Sequence, residues 1–252
     1  MHHESTGWGT VLSHTDQFLS GLLITVEVSV LAFIFALIIG ILGAAARRSR
    51  FRILRVIVGI YVEIFRNTPL LLQVFVAFFG LPALGLPLTN FQAGAVALAA
   101  NAGAYLVEII RGGLAAVPPG QLDAAHVLSL TRTDTFSRIV LPQAIRKVYP
   151  PIVNQFVQIV LGSSLLSAIA LPELTGVAQT VNSETLLTLQ SFGFALILYL
   201  IVSNIISVGS NLLGAVIFHP PLEAGGRSAG KGRRRWLIIP GTNKEPRLKS
   251  GV

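Results

Sequence analysis

The chain alternates long apolar runs with short polar or basic blocks. Phe18 to Ala46 holds one charged residue, Glu27, and Val56 to Leu81 holds Glu63 and Arg66. Phe79 to Val107, Val148 to Pro172 and Thr185 to Leu222 hold none. Each run can supply the roughly 20 apolar residues that a membrane helix needs. The pattern predicts an all-α membrane protein of about five spanning helices, near 19–45, 56–80, 91–110, 150–170 and 188–217. Pro82, Gly85 and Pro87 stop helices, so LPALGLPLTN, residues 81–90, reads as a tight loop. Residues 171–187, with Glu173 and Glu184, read as a second loop. The first run is too long for a signal-peptide core, and arginines rather than a small-residue cleavage pattern follow it. It is therefore read as a retained helix.

The block from 118 to 142 breaks the apolar pattern. Pro118-Pro119-Gly120 ends the preceding helix, and a short helix can begin near Gln121 with Ala124, Ala125, Val127 and Leu128 as its apolar face. Asp123 falls in its first turn, where a negative charge suits the helix dipole. Thr131 or Thr133 can cap a second short helix with Asp134 in its first turn. Pro142 permits a bend into the next span. On physics alone the block is an interfacial helix joining two spans, or a thin face of small residues that another protein can approach.

Composition agrees with a membrane assignment. Of 252 residues 52% are hydrophobic and 12% charged, against about 25% charged in soluble domains. With no cysteine, disulfides and thiolate metal sites are excluded. The formal net charge of +8 is explained by sidedness. Every Lys and Arg except Arg66 lies in 47–55, in 111–147 or in the tail from Arg227, and none lies in 1–46, 81–90 or 171–187. The positive-inside rule then puts the N-terminus outside and the C-terminus in the cytoplasm. Attraction to anionic lipid is a secondary effect, and nucleic acid is not an expected partner. The expected domains are an extracytoplasmic segment 1–17, a transmembrane domain 18–218 with a cytoplasmic loop 111–149, and a basic, disordered tail 219–252.

Four segments in order resemble one family. They are YVEIFRNTPLLLQ (61–73), NAGAYLVEIIRGGLAAVPPGQLDAA (101–125), LPQAIRKVYPPIVNQF (141–156) and LPEL (171–174). The chain resembles the polar amino-acid uptake permeases of ABC importers, which include histidine, glutamine, glutamate and arginine systems. The resemblance covers roughly residues 18 to 218. It implies a type I ABC importer permease fold in the bacterial inner membrane, and a coupling loop of Gln121, Asp123, Ala124, Ala125, Ser129, Leu141 and Pro142 that docks on separate ATPase subunits. It also implies a second permease subunit and an extracytoplasmic binding protein that delivers the amino acid. No phosphate-binding loop is present, because Gly-Lys-Gly at 230–232 lacks its spacing and its Ser/Thr. ATP and Mg therefore belong to the partner, and this chain is a transport subunit with no cofactor of its own. The rival readings are an ATP-independent channel or secondary carrier, whose coupling acids could only be Glu27 and Glu63, and a non-transporting scaffold subunit.

Two departures from the family pattern matter. Asp123 stands for the usual Glu, and Ser129 stands where the loop has Gly. Serine resists the left-handed backbone that glycine takes freely. In helix 4, Leu161 and Gly162 replace a Lys-Asp pair, which favours a heterodimer whose partner supplies charge, with a homodimer as the alternative. The candidate translocation pathway is Glu63, Arg66, Asn67, Asn154, Gln155, Gln158, Ser163, Ser164 and Ser167. Glu63 and Arg66, three apart on one helix face, form either a buried ion pair shaping a kink with Asn67 and Pro69, or a pore-side charge. Gln155 and Gln158, like Asn154 and Gln158, share a face in the most polar stripe of any span. Interhelical hydrogen bonding explains such residues as well as pore lining does. Glu108 and Arg111 read as a surface pair, and His126 as a contact residue rather than a metal ligand.

Overall fold

The structure is a computed structural model that describes residues 4–218. The expected basic tail at 219–252 lies outside the described residues. Among the described residues every regular element is helical. A short α1 (Glu4–Leu12) leads into α2 (Thr15–Arg47), and α3 (Arg52–Arg66) is followed by α4 (Leu70–Phe75). A π turn, Val76–Gly80, carries α4 into α5 (Leu81–Ala83). After α6 (Asn90–Ala115) come α7 (Pro119–Val127) and α8 (Arg132–Asp134). A π turn at Thr135–Val140 joins α8 to α9 (Leu141–Gly162), which tightens into a 3-10 segment, Ser163–Ile169. The last elements are α10 (Leu174–Thr185) and α11 (Thr188–Ile217). Among the described residues four stretches are long and apolar enough to cross a membrane: Thr15–Arg47, Asn90–Ala115, Arg132–Ile169 and Thr188–Ile217. Arg52–Arg66 and Leu70–Ala83 pass the same test together, as a broken span or a re-entrant pair, and bring the number to five if they cross as one.

The central contact sets α2 against α6. In lipid, helices gain little from burying apolar surface against each other, so close packing of small residues takes over. The inner face of α2 carries Gly21, Thr25, Ser29, Ala32, Ala36, Gly40 and Gly43, three or four apart. The facing stripe of α6 includes Ala95, Ala99, Ala102 and Gly103. Gly40 is needed for the approach, since a Cβ there would lie 2.6 Å from the Leu106 Cβ. Val28, Ala32, Leu98, Leu106, Ile159 and Leu166 form the main core. A second core joins α1, the start of α2, α10 and α11 through Val11, Phe18, Leu174 and Val181. Along α11 only Ser191, Ala195 and Gly214 are buried, so its long apolar surface faces outward as a lipid-facing helix would.

Three expectations are corrected. The second span is not one helix over 56–80, because the chain turns by 109° between α3 and α4. Pro69 lacks a donor and ends the first helix, and side chains answer the carbonyls this frees. Asn67 Nδ2 bonds the Glu63 carbonyl at 2.9 Å and Thr68 Oγ1 the Ile64 carbonyl at 2.8 Å. Gln73 Nε2 and Asn101 Nδ2 reach the Phe65 carbonyl at 2.9 and 3.0 Å, and Asn101 also bonds Gln73 Oε1 at 3.0 Å. A bend at membrane depth persists only with such substitutes. Residues 171–187 are mostly the helix α10 rather than a loop. The second short helix does not end at Pro142, because helix continues from Arg132 to Ile169 and the π turn just before Pro142 absorbs the hydrogen bond its nitrogen cannot donate.

Candidate coupling loop and polar cavity

The sequence-predicted loop residues gather on and around α7. Pro118 precedes the helix and Pro119 opens it, where a missing N–H costs nothing. The far end closes in a Schellman arrangement. The Leu130 N–H bonds the Ala125 carbonyl at 3.0 Å, and the Ser129 N–H bonds the His126 carbonyl at 3.0 Å. That geometry requires a left-handed residue, and Ser129 supplies it at φ 53°. The glycine-like demand expected of this position is therefore real, and serine meets it under strain. Thr131 caps the next helix by accepting from the Asp134 N–H at 3.1 Å. Asp134 in turn pairs with Arg138 at 3.2 Å.

The apolar face expected on α7 is split. Ala125 is buried, whereas Gln121, Asp123, Ala124, Val127 and Leu128 stand exposed, Val127 at 82% and Leu128 at 71%. Gln143 Nε2 bonds Gln121 Oε1 at 2.5 Å and ties the loop to the base of α9. Leu141 and Pro142 are exposed beside it.

The pathway candidates do not all converge. A cavity of about 540 Å³ between α6 and α9 is lined by Gln155, Gln158 and Ser164, with Asn101 and Tyr105 opposite. Leu161 and Gly162 line it too, so the positions that lack the Lys-Asp pair face this space. Among the described residues no charged side chain lines it. Asn154 is exposed elsewhere. Ser163 is buried and donates to the Val160 carbonyl at 2.8 Å. Ser167 donates to the Ser164 carbonyl at 2.9 Å and accepts from Gln179 Nε2 at 3.3 Å, on the way to a polar cleft along α10.

Glu63 and Arg66 form no ion pair, which corrects the buried-pair reading. Asn67 Nδ2 takes the Glu63 carboxylate at 2.8 Å. Arg66 is exposed, with its guanidinium 5.2 Å from the centroid of the Tyr105 ring. Glu108 and Arg111 do pair, with Arg111 Nε 3.1 Å from both carboxylate oxygens. No group of three or more metal-ligating side chains occurs among the described residues.

Sequence reasoning missed Asn101, Tyr105, Gln73 and, above all, Glu173. Glu173 was read as a loop residue, yet it is fully buried. Its Oε1 accepts from the Gly176 N–H at 2.8 Å and its Oε2 from the Thr175 N–H at 2.9 Å. The Tyr199 hydroxyl of α11 donates to Oε2 at 2.6 Å. From α2, Thr25 Oγ1 accepts from the Leu174 N–H at 3.1 Å. One carboxylate thus caps α10 and fastens α11 to it, with α2 alongside. Burial pushes its carboxyl above the usual carboxylate range, while the donors around it pull the other way. The available signal was an acid placed directly after Pro172 and three residues before Gly176 in an otherwise uncharged stretch.

Together these features define a helical membrane domain with an exposed, capped loop helix at one end and an uncharged polar cavity between its spans. The chain belongs to the family of binding-protein-dependent transport system inner membrane components, whose model matches residues 36–213. It is therefore a multi-pass permease subunit. It is 39% identical over 198 residues to the "Probable glutamine ABC transporter permease protein GlnM" of Bacillus subtilis (strain 168), covering 79% of this chain and 92% of that protein. It is 37% identical over 180 residues to the L-cystine transport system permease protein TcyB of the same organism, covering 71% and 77%. A solved amino acid ABC transporter with histidines superposes with a TM-score of 0.77 at 31% identity, over 80% of this chain and 94% of that one. The inward-facing MetNI methionine transporter superposes at 0.68 with 16% identity, over 82% and 98%, and shares the fold.

Proposed function

We propose that this chain is the membrane permease of an ATP-driven, binding-protein-dependent importer of a polar amino acid. Separate ATPase subunits hold ATP and Mg and dock on α7, and an extracytoplasmic protein delivers the substrate. The N-terminus lies outside and the C-terminus inside, in keeping with the basic loops. One observation carries the reading. The unbroken helix from Arg132 to Ile169 joins the exposed loop at its base to a neutral polar cavity at Gln155, Gln158 and Ser164. Force received at α7 then has a direct route to the space through which the substrate passes. The amino acid is supported by the relatives' substrates and by the amide and hydroxyl lining. The neutral lining at Leu161 and Gly162 favours a heterodimer, with the partner subunit supplying the charges that meet the ammonium and carboxylate groups.

The test is reconstitution into liposomes with the partner permease, ATPase and binding protein. Uptake is expected only when all are present with ATP. ATP-independent uptake by this chain alone would overturn the reading in favour of a channel or carrier. Asp123→Arg is expected to weaken ATPase association and cut uptake at least tenfold with helical content unchanged. Undiminished uptake would favour a scaffold role for the loop.

A further inference from the structure

A second cavity, of about 360 Å³, opens between the end of α2, the inner side of α7 and the start of α8. Its floor is apolar: Val117 and Val140 are buried, with Leu130 and Phe136 beside them. Its rim carries two guanidinium groups and an imidazole. Arg48 directly follows α2, His126 comes from α7 and Arg132 from the first turn of α8. Among the described residues no carboxylate lines it, and no ion pair includes any of the three. The nearest acid in sequence, Asp134, is engaged by Thr131 and Arg138. Two guanidinium groups and an imidazole from three separate segments therefore surround an apolar hollow that no acid among the described residues lines. Planar guanidinium forks suit phosphate oxygens, and apolar walls beneath suit a hydrocarbon body.

The position names the source of such a ligand. Arg48 sits where the first span ends, next to Arg47, Arg50, Arg52 and Arg55, at the level of the lipid head groups on the basic side of the membrane. We infer that this cavity holds an anionic glycerophospholipid, its phosphate between Arg48 and Arg132 and its glycerol and upper acyl chain against Leu122, Leu130 and Phe136. The lipid would brace α7 against the end of α2. The inference relies on the proposed function for only one point, that the braced helix is the one the ATPase engages. The binding itself does not depend on transport.

The experiment is native mass spectrometry of the purified complete transporter, delipidated and then offered phosphatidylglycerol, phosphatidylcholine or inorganic phosphate. Wild type is expected to retain phosphatidylglycerol at least tenfold better than phosphatidylcholine. Arg48→Gln/Arg132→Gln is expected to lose that preference, while Arg48→Lys/Arg132→Lys, which keeps the charge, retains most of it at an unchanged melting temperature. Equal phosphatidylglycerol retention by wild type and the Gln double variant would overturn the site. Inorganic phosphate bound as well as the lipid would overturn the assignment to lipid. Because the readout is binding, loss of ATP-dependent uptake would count against the transport reading alone.

Discussion

Removing the Glu173 carboxylate is the most informative single perturbation. The side chain is fully buried and accepts three hydrogen bonds, from the Thr175 and Gly176 backbone and from Tyr199. Glu173→Ala strands the two backbone donors, leaves the Tyr199 hydroxyl only Thr175 Oγ1 at 3.2 Å, and opens a hollow. A buried unpaired donor costs about 1–3 kcal/mol. Water entering the hollow recovers part of that, so a net cost of about 3–5 kcal/mol is expected. Tyr199→Phe removes one donor and leaves the carboxylate its two backbone partners, for about 1–1.5 kcal/mol. Glu173→Gln falls between, because one of its two groups can only donate and faces donors. The effect is local to α10, so amide hydrogen exchange at Gly176 to Val181 reads it directly. A loss of 3 kcal/mol is roughly a hundredfold faster exchange, with α6 unaffected. Two results would refute the reasoning: exchange in Glu173→Ala within threefold of wild type, or Tyr199→Phe as damaging as Glu173→Ala.

Ser129→Gly is expected to stabilise the loop by about 1 kcal/mol, since a non-glycine residue in the left-handed region carries roughly that strain; slower proteolysis between α7 and α8 with uptake retained is the readout, and faster proteolysis would contradict the strain argument. Gln73→Leu takes from the Phe65 carbonyl one of its two donors and from Asn101 a partner, and is expected to cost about 2–3 kcal/mol in thermal unfolding in detergent. Gln158→Leu removes an amide from the cavity and is expected to lower uptake at least tenfold while ATPase association stays at wild-type level; a parallel fall in association would place the residue outside the pathway.

What could be read in the chain was whatever depends on neighbours in sequence. The spans follow from apolar length and a cap at Thr131 or Thr133 from local backbone rules, while the glycine-like demand at Ser129 was indicated by the family resemblance. What could not be read depends on partners far away. Pro69 marks a possible kink, but the turn of 109° depends on Asn101, 36 residues beyond the Phe65 carbonyl it serves. The pairing rule for residues three apart failed at Glu63 and Arg66 because α3 ends there, and Asn67 at the helix end takes the carboxylate first. The segment 171–187 looked like a loop because Gly176, Thr180, Asn182 and Ser183 are weak helix formers. Its helix is imposed by the Glu173 cap and by packing, with Val177 seated against Gly21. The helical stripe in α9 located one wall of the cavity, at Gln155 and Gln158, but nothing local indicated that Asn101 and Tyr105 formed the other.

The unbroken run from Arg132 to Ile169 bears on how the proposed cycle would work. At 1.5 Å per residue, Arg132 and Gln158 lie roughly 40 Å apart along one helix, so the loop and the cavity share an element without sharing a contact. A lever of that length is useful only if it tilts as a body. The π turn at Thr135–Val140 and the prolines at 150 and 151 are where its hydrogen-bond ladder is weakest, and both lie between the loop and Gln155. Tilting would therefore concentrate at those two places and leave the cavity-lining stretch intact. At the far end Ser167 meets Gln179 of α10, and α10 is held by Glu173. In the proposed cycle the helix that leads from the ATPase side thus ends against the element that the buried Glu173 carboxylate fastens. In the proposed cycle, a soft base and a clamped tip would let the cavity walls move while the end at α10 stays closed. Loosening the clamp at Glu173 should accordingly alter the coupling of ATP hydrolysis to uptake as well as local stability.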